Sequence, residues 1–203
     1  GYRVALFDLD PQASLSKGLG LFEEVRPITD VFRSDEAPEL PAPIGIRGVD
    51  LWATDDRLGE VEGILMNDFS RMLNLRQAVD KLLGREPYDF VLFDCKPQRT
   101  NFLAASLAAA DHILLPVSGL KGVENVDQLA KLLKMVRPYA PKLAVRLIVP
   151  NRMKVNTRHH RSLLAFLEHE YAGVAPISHA VRDSTAVMGA ASEARESVVQ
   201  HDP

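Results

Sequence analysis

Two short acidic clusters follow apolar runs of the chain, and their residue types suit metal or acid–base chemistry. Asp8 and Asp10 stand two residues apart where one apolar run ends, and Asp94 ends another in the sequence YDFVLFD. A carboxylate at the end of a buried strand is costly to leave unpaired. A hard cation such as Mg²⁺, or a water held on one, would offset that cost. The alternative is that each aspartate only caps a loop or the next helix, as aspartate often does.

The composition of the 203-residue chain is that of an ordinary globular protein that can bury a full core without cross-links. Its single cysteine, Cys95, excludes a disulfide framework and a cysteine metal site, and it suits a reducing cytoplasm. No apolar run approaches the ~18 residues that a membrane span needs. Because the net charge is −3, a role with nucleic acid would require a local basic patch.

Apolar runs and helical patterns alternate along the chain. The runs occupy residues 4–9, 49–53, 90–93, 112–117 and 143–149. They do not alternate with period two, which predicts strands covered on both faces. Helical spacing of apolar residues predicts helices over residues 64–83, 123–136 and 158–171. The order predicts an α/β fold, a doubly wound and mostly parallel sheet with helices on both faces, in a single domain over residues 1–203.

Several motifs together resemble a known family. VALFDLDPQASLS resembles the segment after the first helix of ParA-type ATPases, which reads roughly hydrophobic-D-x-D-P-Q. YDFVLFDCKPQ resembles their Walker B strand and second switch, and AASLAAADHILLPVSG resembles the helix and strand that follow. LNLRQAVDKLL also matches, and all of these occur in the family's order. The chain is therefore identified as similar to the ParA/MinD-type deviant-Walker P-loop ATPases, and best to the ParA-like partition ATPases among them.

The resemblance implies roles for the matched acidic residues. Asp10 would orient or activate the water that attacks the γ-phosphate of ATP. Asp94 would hold Mg²⁺ through water, and Asp8 and Gln12 would support the first switch. Lys96 replaces a proline that the family usually has in its second switch, where it could meet a phosphate or a partner acid. The alternative is that Lys96 marks a divergent member with weak hydrolysis.

A basic segment, residues 151–161, reads NRMKVNTRHHR and contains no acid. Asn151 resembles the family's polar residue that reads adenine, and with Arg152 it is a candidate nucleotide contact. Thr157 is a candidate N-cap, and cations in a first helical turn oppose the helix dipole unless an anion binds there. The candidate contacts to ATP or DNA phosphates are Lys96, Lys154, Arg158 and Arg161. A solvated start of a surface helix is the alternative.

The family's nucleotide loop, K-G-G-x-G-K-T/S, does not occur in these 203 residues. In SLSKGLGL the lysine precedes the glycine, which predicts a helix ended by a glycine and not a P-loop. In the family, the strand before the loop lies between the Walker B strand and the LLPV strand. Without it, those two strands would lie about 9–10 Å apart, twice the ~4.8 Å spacing of a sheet. The closing SEARESVVQHDP resembles a passage that one more helix follows, so the domain is expected to be incomplete at both ends.

The resemblance implies an ATPase that converts ATP and water to ADP and phosphate in DNA or cargo partition. It further implies ATP-dependent homodimers, non-specific DNA binding and a ParB-like activator protein. No membrane partner is expected, and the protein would be cytoplasmic and associated with the nucleoid. The alternative is a non-catalytic ParA-like binding or regulatory module that lacks the P-loop.

Overall fold

The computed structural model describes residues 1–21, 27–34, 38–54, 58–96, 101–154, 157–184 and 189. The chain forms two compact units, one running from Gly1 to Ala109 and the other beginning at Ala110. The passage SEARESVVQHDP lies outside the described residues. No helix in the described ranges is long and apolar enough to cross a lipid bilayer.

The first unit contains a four-stranded sheet in the order β2-β3-β1-β4. Its strands are β1 (Val4–Asp8), β2 (Ile44–Ile46), β3 (Val49–Trp52) and β4 (Phe90–Asp94). β1 is parallel to both β3 and β4, so the sheet is mostly parallel as predicted. In the register of β1 and β4, Asp8 lies opposite Asp94, and the two acid-ended strands therefore finish at the same level.

Strand β2 is not foreseen by the sequence analysis. It pairs antiparallel with β3 through a two-residue turn at Arg47 and Gly48, whose φ angles are 49° and 83°. Positive φ at both positions is what a tight hairpin turn requires, and glycine adopts it without strain. The signal was the Arg-Gly pair between Ile44–Ile46 and Val49–Trp52, which is weaker than Asn-Gly or Asp-Gly.

The described helices of the first unit are α1 (Ser14–Gly18), α2 (Asp30–Arg33), α3 (Leu58–Asn67), a 3₁₀ helix (Phe69–Leu73), α4 (Asn74–Arg85) and α5 (Asn101–Ala109). The sequence predicted one helix over residues 64–83, but the structure divides that segment among α3, the 3₁₀ helix and α4. The division occurs at Asp68, whose backbone is extended and whose side chain accepts a hydrogen bond from the Ser70 N–H at 3.1 Å. An aspartate in this conformation caps a new helix, which explains the break.

The core of the first unit is centred on a stacked aromatic pair. Phe7 and Trp52 are buried, with ring centroids 4.6 Å apart and planes 5° from parallel. The Trp52 indole N–H donates to the Pro41 carbonyl at 2.8 Å. An aromatic pair of this kind contributes about 0.5–1.5 kcal/mol beyond its burial, so it fastens β1 to β3.

A polar network joins the amino ends of the strands. The Arg3 N–H donates to Asp89 at 2.7 Å, and the Arg3 carbonyl accepts from the Asp89 N–H at 2.9 Å. The Tyr88 hydroxyl donates to Asp50 of β3 at 2.8 Å, and the Arg3 guanidinium lies 4.9 Å from the centre of the Tyr88 ring. Burial, followed by the hydrogen bond to Asp50, raises the pKa of Tyr88 to about 12. This end of the sheet is thus held independently of its acidic carboxyl end.

The second unit contains a parallel two-stranded sheet of β5 (His112–Val117) and β6 (Ala144–Pro150). Its helices are α6 (Gly119–Val136) and α7 (Arg158–Tyr171). Helix α7 has the predicted range, whereas α6 begins four residues earlier than the predicted residue 123. The buried core of this unit comprises Val117, Ile148, Met153, Leu163, Leu167 and Ala175.

Some apolar residues of β4 and β5 are less covered than those of β1. Phe90 and Leu92 of β4 are 50% and 44% exposed, and Leu114 of β5 is 59% exposed. Among the described residues, β4 lies at an edge of its sheet and β5 has one neighbouring strand.

Replacing Tyr88 with Phe should lower the free energy of unfolding near pH 8 by about 1 kcal/mol, because the hydrogen bond to Asp50 is lost. The folded pKa of about 12 exceeds the ordinary value of 10.0, so the stability from this phenol is complete below the lower value. This contribution to stability is lost as the pH rises from the ordinary pKa through the folded pKa of Tyr88. The difference between wild type and Tyr88→Phe should therefore shrink over that range, measured by urea unfolding at each pH.

Tyr2→Phe is the matched control, since Tyr2 is 74% exposed, and it should keep the wild-type pH profile. A difference between wild type and Tyr88→Phe that stays constant up to the folded pKa would contradict the assigned hydrogen bond.

Candidate functional site

Asp8 closes strand β1 with a fully buried carboxylate. Its Oδ1 accepts from the Asp10 N–H at 3.2 Å. Its Oδ2 accepts from the N–H and the hydroxyl of Ser16 in α1, at 2.9 and 2.6 Å. A carboxylate removed from water needs such donors, and here they tie the strand to the loop and helix that follow.

The loop after β1 presents Asp10 at a partly exposed position. Asp10 Oδ1 accepts from the Gln12 N–H at 2.9 Å, and the Asp10 carbonyl accepts from the Ala13 N–H at 2.8 Å. Ala13 has a left-handed backbone with φ 51°. The Lys17 ammonium donates to the Gln12 carbonyl at 2.8 Å, while the Gln12 side chain is exposed. The loop is therefore closed by its own hydrogen bonds, and Asp10 has a defined place within it.

The end of α1 confirms the predicted glycine stop. The helix ends at Gly18, and Gly20 has a left-handed φ of 93°. Its N–H donates to the Lys17 carbonyl at 2.9 Å. A left-handed glycine after the last turn is a common helix ending, so SLSKGLGL forms a short capped helix.

Asp94 lies opposite Asp8 and ends β4 with an exposed side chain. Pairing continues past the strand, because the Leu9 N–H donates to the Asp94 carbonyl at 2.9 Å. Partial burial, and then the charges of Asp8 and Asp10, raise the pKa of Asp94 above its usual value. Three carboxylates thus influence one another at this edge, which favours a cation there.

The oxygen atoms at this edge suit a magnesium ion bound through water molecules better than an ion bound directly by several protein side chains. Within the described ranges, no three His, Cys, Asp or Glu residues are placed to bind one metal ion. Mg²⁺ usually keeps several waters and binds through one or two carboxylates and substrate phosphates. Asp94 supplies an accessible carboxylate, whereas the oxygens of Asp8 are buried in hydrogen bonds to the protein.

Cys95 and Lys96 follow Asp94 at the end of the described part of this loop. Burial is the main cause that raises the pKa of Cys95 to about 11, and its thiol lies 3.7 Å from the Phe93 carbonyl oxygen. Cys95 is therefore protonated at neutral pH. Lys96 is partly buried, and its contact with a phosphate stays a prediction. Residues 97–100, which continue the second switch, lie outside the described residues.

In the second unit, Asn151 follows β6 and begins the basic segment. The Asn151 N–H donates to the Val117 carbonyl at 2.8 Å, which joins it to the end of β5. Its side-chain oxygen accepts from the Arg152 N–H at 3.0 Å, and Arg152 has a left-handed φ of 54°. The carboxyl ends of β5 and β6 thus position this segment.

Asp183 is an acidic partner of the basic segment that the sequence analysis missed. Its carboxylate oxygens lie 3.7 Å from Arg152 Nε and 3.6 Å from Lys154 Nζ, and its side chain is 9% exposed. The Met153 carbonyl accepts from the Asp183 N–H at 3.1 Å, which holds the carboxylate in place. No sequence signal points to Asp183, because it lies 31 residues beyond Arg152 and 29 beyond Lys154, the two cations that it pairs with.

The remaining cations of the segment lie on α7. Thr157 is the N-cap as predicted, since its hydroxyl oxygen accepts from the His160 N–H at 3.4 Å. Arg158 and Arg161 are exposed in the first turn and just after it. The first unit therefore contains Asp8, Asp10, Gln12, Asp94 and Lys96, and the second unit contains the candidates of the basic segment.

Comparison with known proteins decides the family. An AAA domain family model matches residues 1–145. The chain is 35% identical over 167 residues to the probable plasmid-partitioning protein ParA of Thermus thermophilus, covering 77% of this chain and 51% of that protein. It is 32% identical over 155 residues to the chromosome partitioning protein ParA of Caulobacter vibrioides, covering 73% and 58%. The chain belongs to the ParA/MinD-type family of partition ATPases. It spans about half the length of these curated relatives.

Solved structures show the fold of this ParA-family chain. The apo McdA structure from Cyanthece has a TM-score of 0.83 at 18% identity and covers 98% of this chain and 81% of its own. Cobyrinic acid a,c-diamide synthase of Mycobacterium smegmatis, solved with an ATP analog and magnesium, has a TM-score of 0.80 at 24% identity, covering 99% and 83%. These neighbours confirm the predicted α/β fold of P-loop NTPase type.

Asp94→Asn should raise the melting temperature of the magnesium-free protein at neutral pH. The neutral amide removes the repulsion from Asp8 and Asp10 and the penalty of partial burial. Added Mg²⁺ and ATP should raise the melting temperature of the wild type but not that of the variant. Thermal unfolding in EDTA and then in Mg²⁺–ATP measures both effects.

Glu168→Gln on the exposed face of α7 is the control, and it should behave like the wild type in both buffers. A lower melting temperature of Asp94→Asn in EDTA, or a full response to Mg²⁺–ATP, would count against the placement of Asp94.

Proposed function

We propose that the protein containing this chain is a ParA-like ATPase that hydrolyses ATP in DNA or cargo partition. The observation that carries the proposal is the edge at which β1 and β4 end together. There Asp8 and Asp94 lie in register, and Asp10 is presented on a hydrogen-bonded loop. Family membership supports the same function, since named relatives are plasmid- and chromosome-partitioning proteins.

Each residue at this edge has a distinct task in the proposed reaction. Asp10 orients or activates the attacking water, for which its partly exposed carboxylate is suited. Asp94 would hold Mg²⁺ through water, and the bound ion would supply positive charge next to the phosphates. Asp8 and Gln12 hold the loop through their contacts with Asp10. Asn151 and Arg152 of the second unit are proposed as nucleotide contacts on the basis of the family resemblance alone.

Binding of DNA is proposed to be non-specific and made through phosphates. Arg158 and Arg161 are exposed cations near the N-terminus of α7 and suit this role. Lys154 already lies near Asp183, so its contribution would be smaller. Lys96 is a further candidate phosphate contact. We further propose ATP-dependent homodimers, a ParB-like activator, and a cytoplasmic, nucleoid-associated location.

Asp10→Ala should preserve ATP binding and lower ATP turnover by about 100-fold or more, because positioned acid–base groups contribute that much. Asp10→Asn is the sharper variant, since its amide oxygen can still accept from the Gln12 N–H while its charge is gone. Both should bind ATP within a few-fold of the wild type by calorimetry. Phosphate release in the presence of DNA measures the turnover.

Turnover within a few-fold of the wild type in Asp10→Asn would contradict the role of Asp10. Absence of ATP binding by the full-length wild type would contradict the proposed function and favour the non-catalytic module.

The double variant Arg158→Ala with Arg161→Ala should bind duplex DNA more weakly, irrespective of its sequence. The slope of log affinity against log salt should become less steep by about 0.9 for each lost phosphate contact. Lys142→Ala is the matched control, because Lys142 is an exposed cation of the same unit outside the basic segment. An unchanged salt slope in the double variant would contradict this interface.

A further inference from the structure

The contact between Ser16 and Asp8 is the most buried polar interaction at the acidic edge. Asp8 has no exposed surface and Ser16 is 3% exposed. The hydroxyl donates at 2.6 Å, which is in the short range of charge-assisted hydrogen bonds. Ser16 also donates its backbone N–H to the same oxygen at 2.9 Å. One side chain therefore supplies a strong donor to a carboxylate that water does not reach.

The Ser16 hydroxyl donates to Asp8 and not to the backbone of its own helix. A serine inside a helix often donates to the carbonyl four residues earlier. For Ser16 that group is the Gln12 carbonyl, which accepts from the Lys17 ammonium at 2.8 Å. The neighbouring Ser14 is exposed in the same helix. Ser16 therefore contacts the end of β1, whereas Ser14 is exposed to solvent.

A short chain of hydrogen bonds leads from Ser16 to Asp10. Asp8 accepts from Ser16 at one oxygen and from the Asp10 N–H at the other. Asp10 in turn accepts from the Gln12 N–H and, at its carbonyl, from the Ala13 N–H. The carboxylate of Asp8 therefore fastens both ends of the loop. Loss of the Ser16 hydroxyl would leave Asp8 held by two backbone N–H groups, and the Asp10 end of the loop would be less constrained.

We propose that Ser16 is a positioning residue that sets the place of Asp10 through the buried carboxylate of Asp8. This inference rests on the proposed ATPase function, in which Asp10 acts on the attacking water. Ser16 is 3% exposed and is proposed to act without contacting the nucleotide or the attacking water. Its effect should therefore fall on the rate of the chemical step and not on ATP affinity.

Ser16→Ala in the full-length protein should lower kcat by about 10- to 100-fold, because small misplacements of a reacting group have effects of this size. The KM for ATP should stay within about twofold. Ser16→Thr keeps the hydroxyl and should recover most of the rate, and Ser14→Ala should behave like the wild type. An undiminished kcat in Ser16→Ala, or a loss that Ser16→Thr does not recover, overturns the inference.

Amide hydrogen exchange gives a readout that does not depend on turnover. Exchange at the Asp10 and Ser16 amides should accelerate in Ser16→Ala, because both amides donate to Asp8, and it should be unchanged in Ser14→Ala. Exchange at the Asp89 amide, at the other end of the sheet, should not change in either variant. Acceleration at all three sites would show general destabilisation and overturn the inference.

Asp10→Asn in the same assays separates the two hypotheses. If Asp10→Asn is inactive while Ser16→Ala is fully active with unchanged exchange, the inference fails and the proposed function stands. If Asp10→Asn is active, the proposed function fails. Accelerated exchange in Ser16→Ala would then still support the control of the loop by Ser16.

Discussion

The burial of one negative charge organises the first unit of this ParA-family chain. Asp8 ends a strand in the interior, and its carboxylate must find donors within the protein. The donors come from the loop and helix that follow, so the hydrogen bonds that replace water around this carboxylate also fix the local backbone geometry. The parallel register with β4 then brings Asp94 to the same level. A buried acid, an exposed acid and a loop acid consequently have different environments within one short edge.

Much of this arrangement could be predicted from the sequence because its determinants are local. Apolar runs that end in aspartate located β1 and β4, and Thr157 and the glycines after Lys17 marked helix ends. The interruption at Asp68 was missed because apolar spacing continues through it, and capping geometry outweighed that periodicity. The exposure of some apolar residues in β4 and β5 could not be predicted because apolar composition reports a tendency to be buried, not which neighbours are present.

Two residues of the candidate site could not be predicted, for a common reason. Ser16 and Asp183 contact partners that only the folded chain brings near. Ser16 lies within VALFDLDPQASLS, but nothing in that motif assigns it a partner, and Asp183 lies outside the motifs quoted above. Ser14 and Ser16 are indistinguishable by type, and only the direction in which the helix leaves the loop separates them. Asp183 likewise changes the meaning of the basic segment, because the formal charge of the segment overstates the positive charge left for an anion.

The network of Arg3, Tyr88, Asp89 and Asp50 at the opposite end of the sheet has an evolutionary consequence. It fixes strand alignment with groups that take no part in the acidic edge. Substitutions of the accessible acids Asp10 and Asp94, unlike those of the buried Asp8, can therefore accumulate while the strand alignment at the opposite end is kept. Related proteins with this architecture can lose or change their activity while they keep the same fold. Activity is therefore expected to diverge faster than structure.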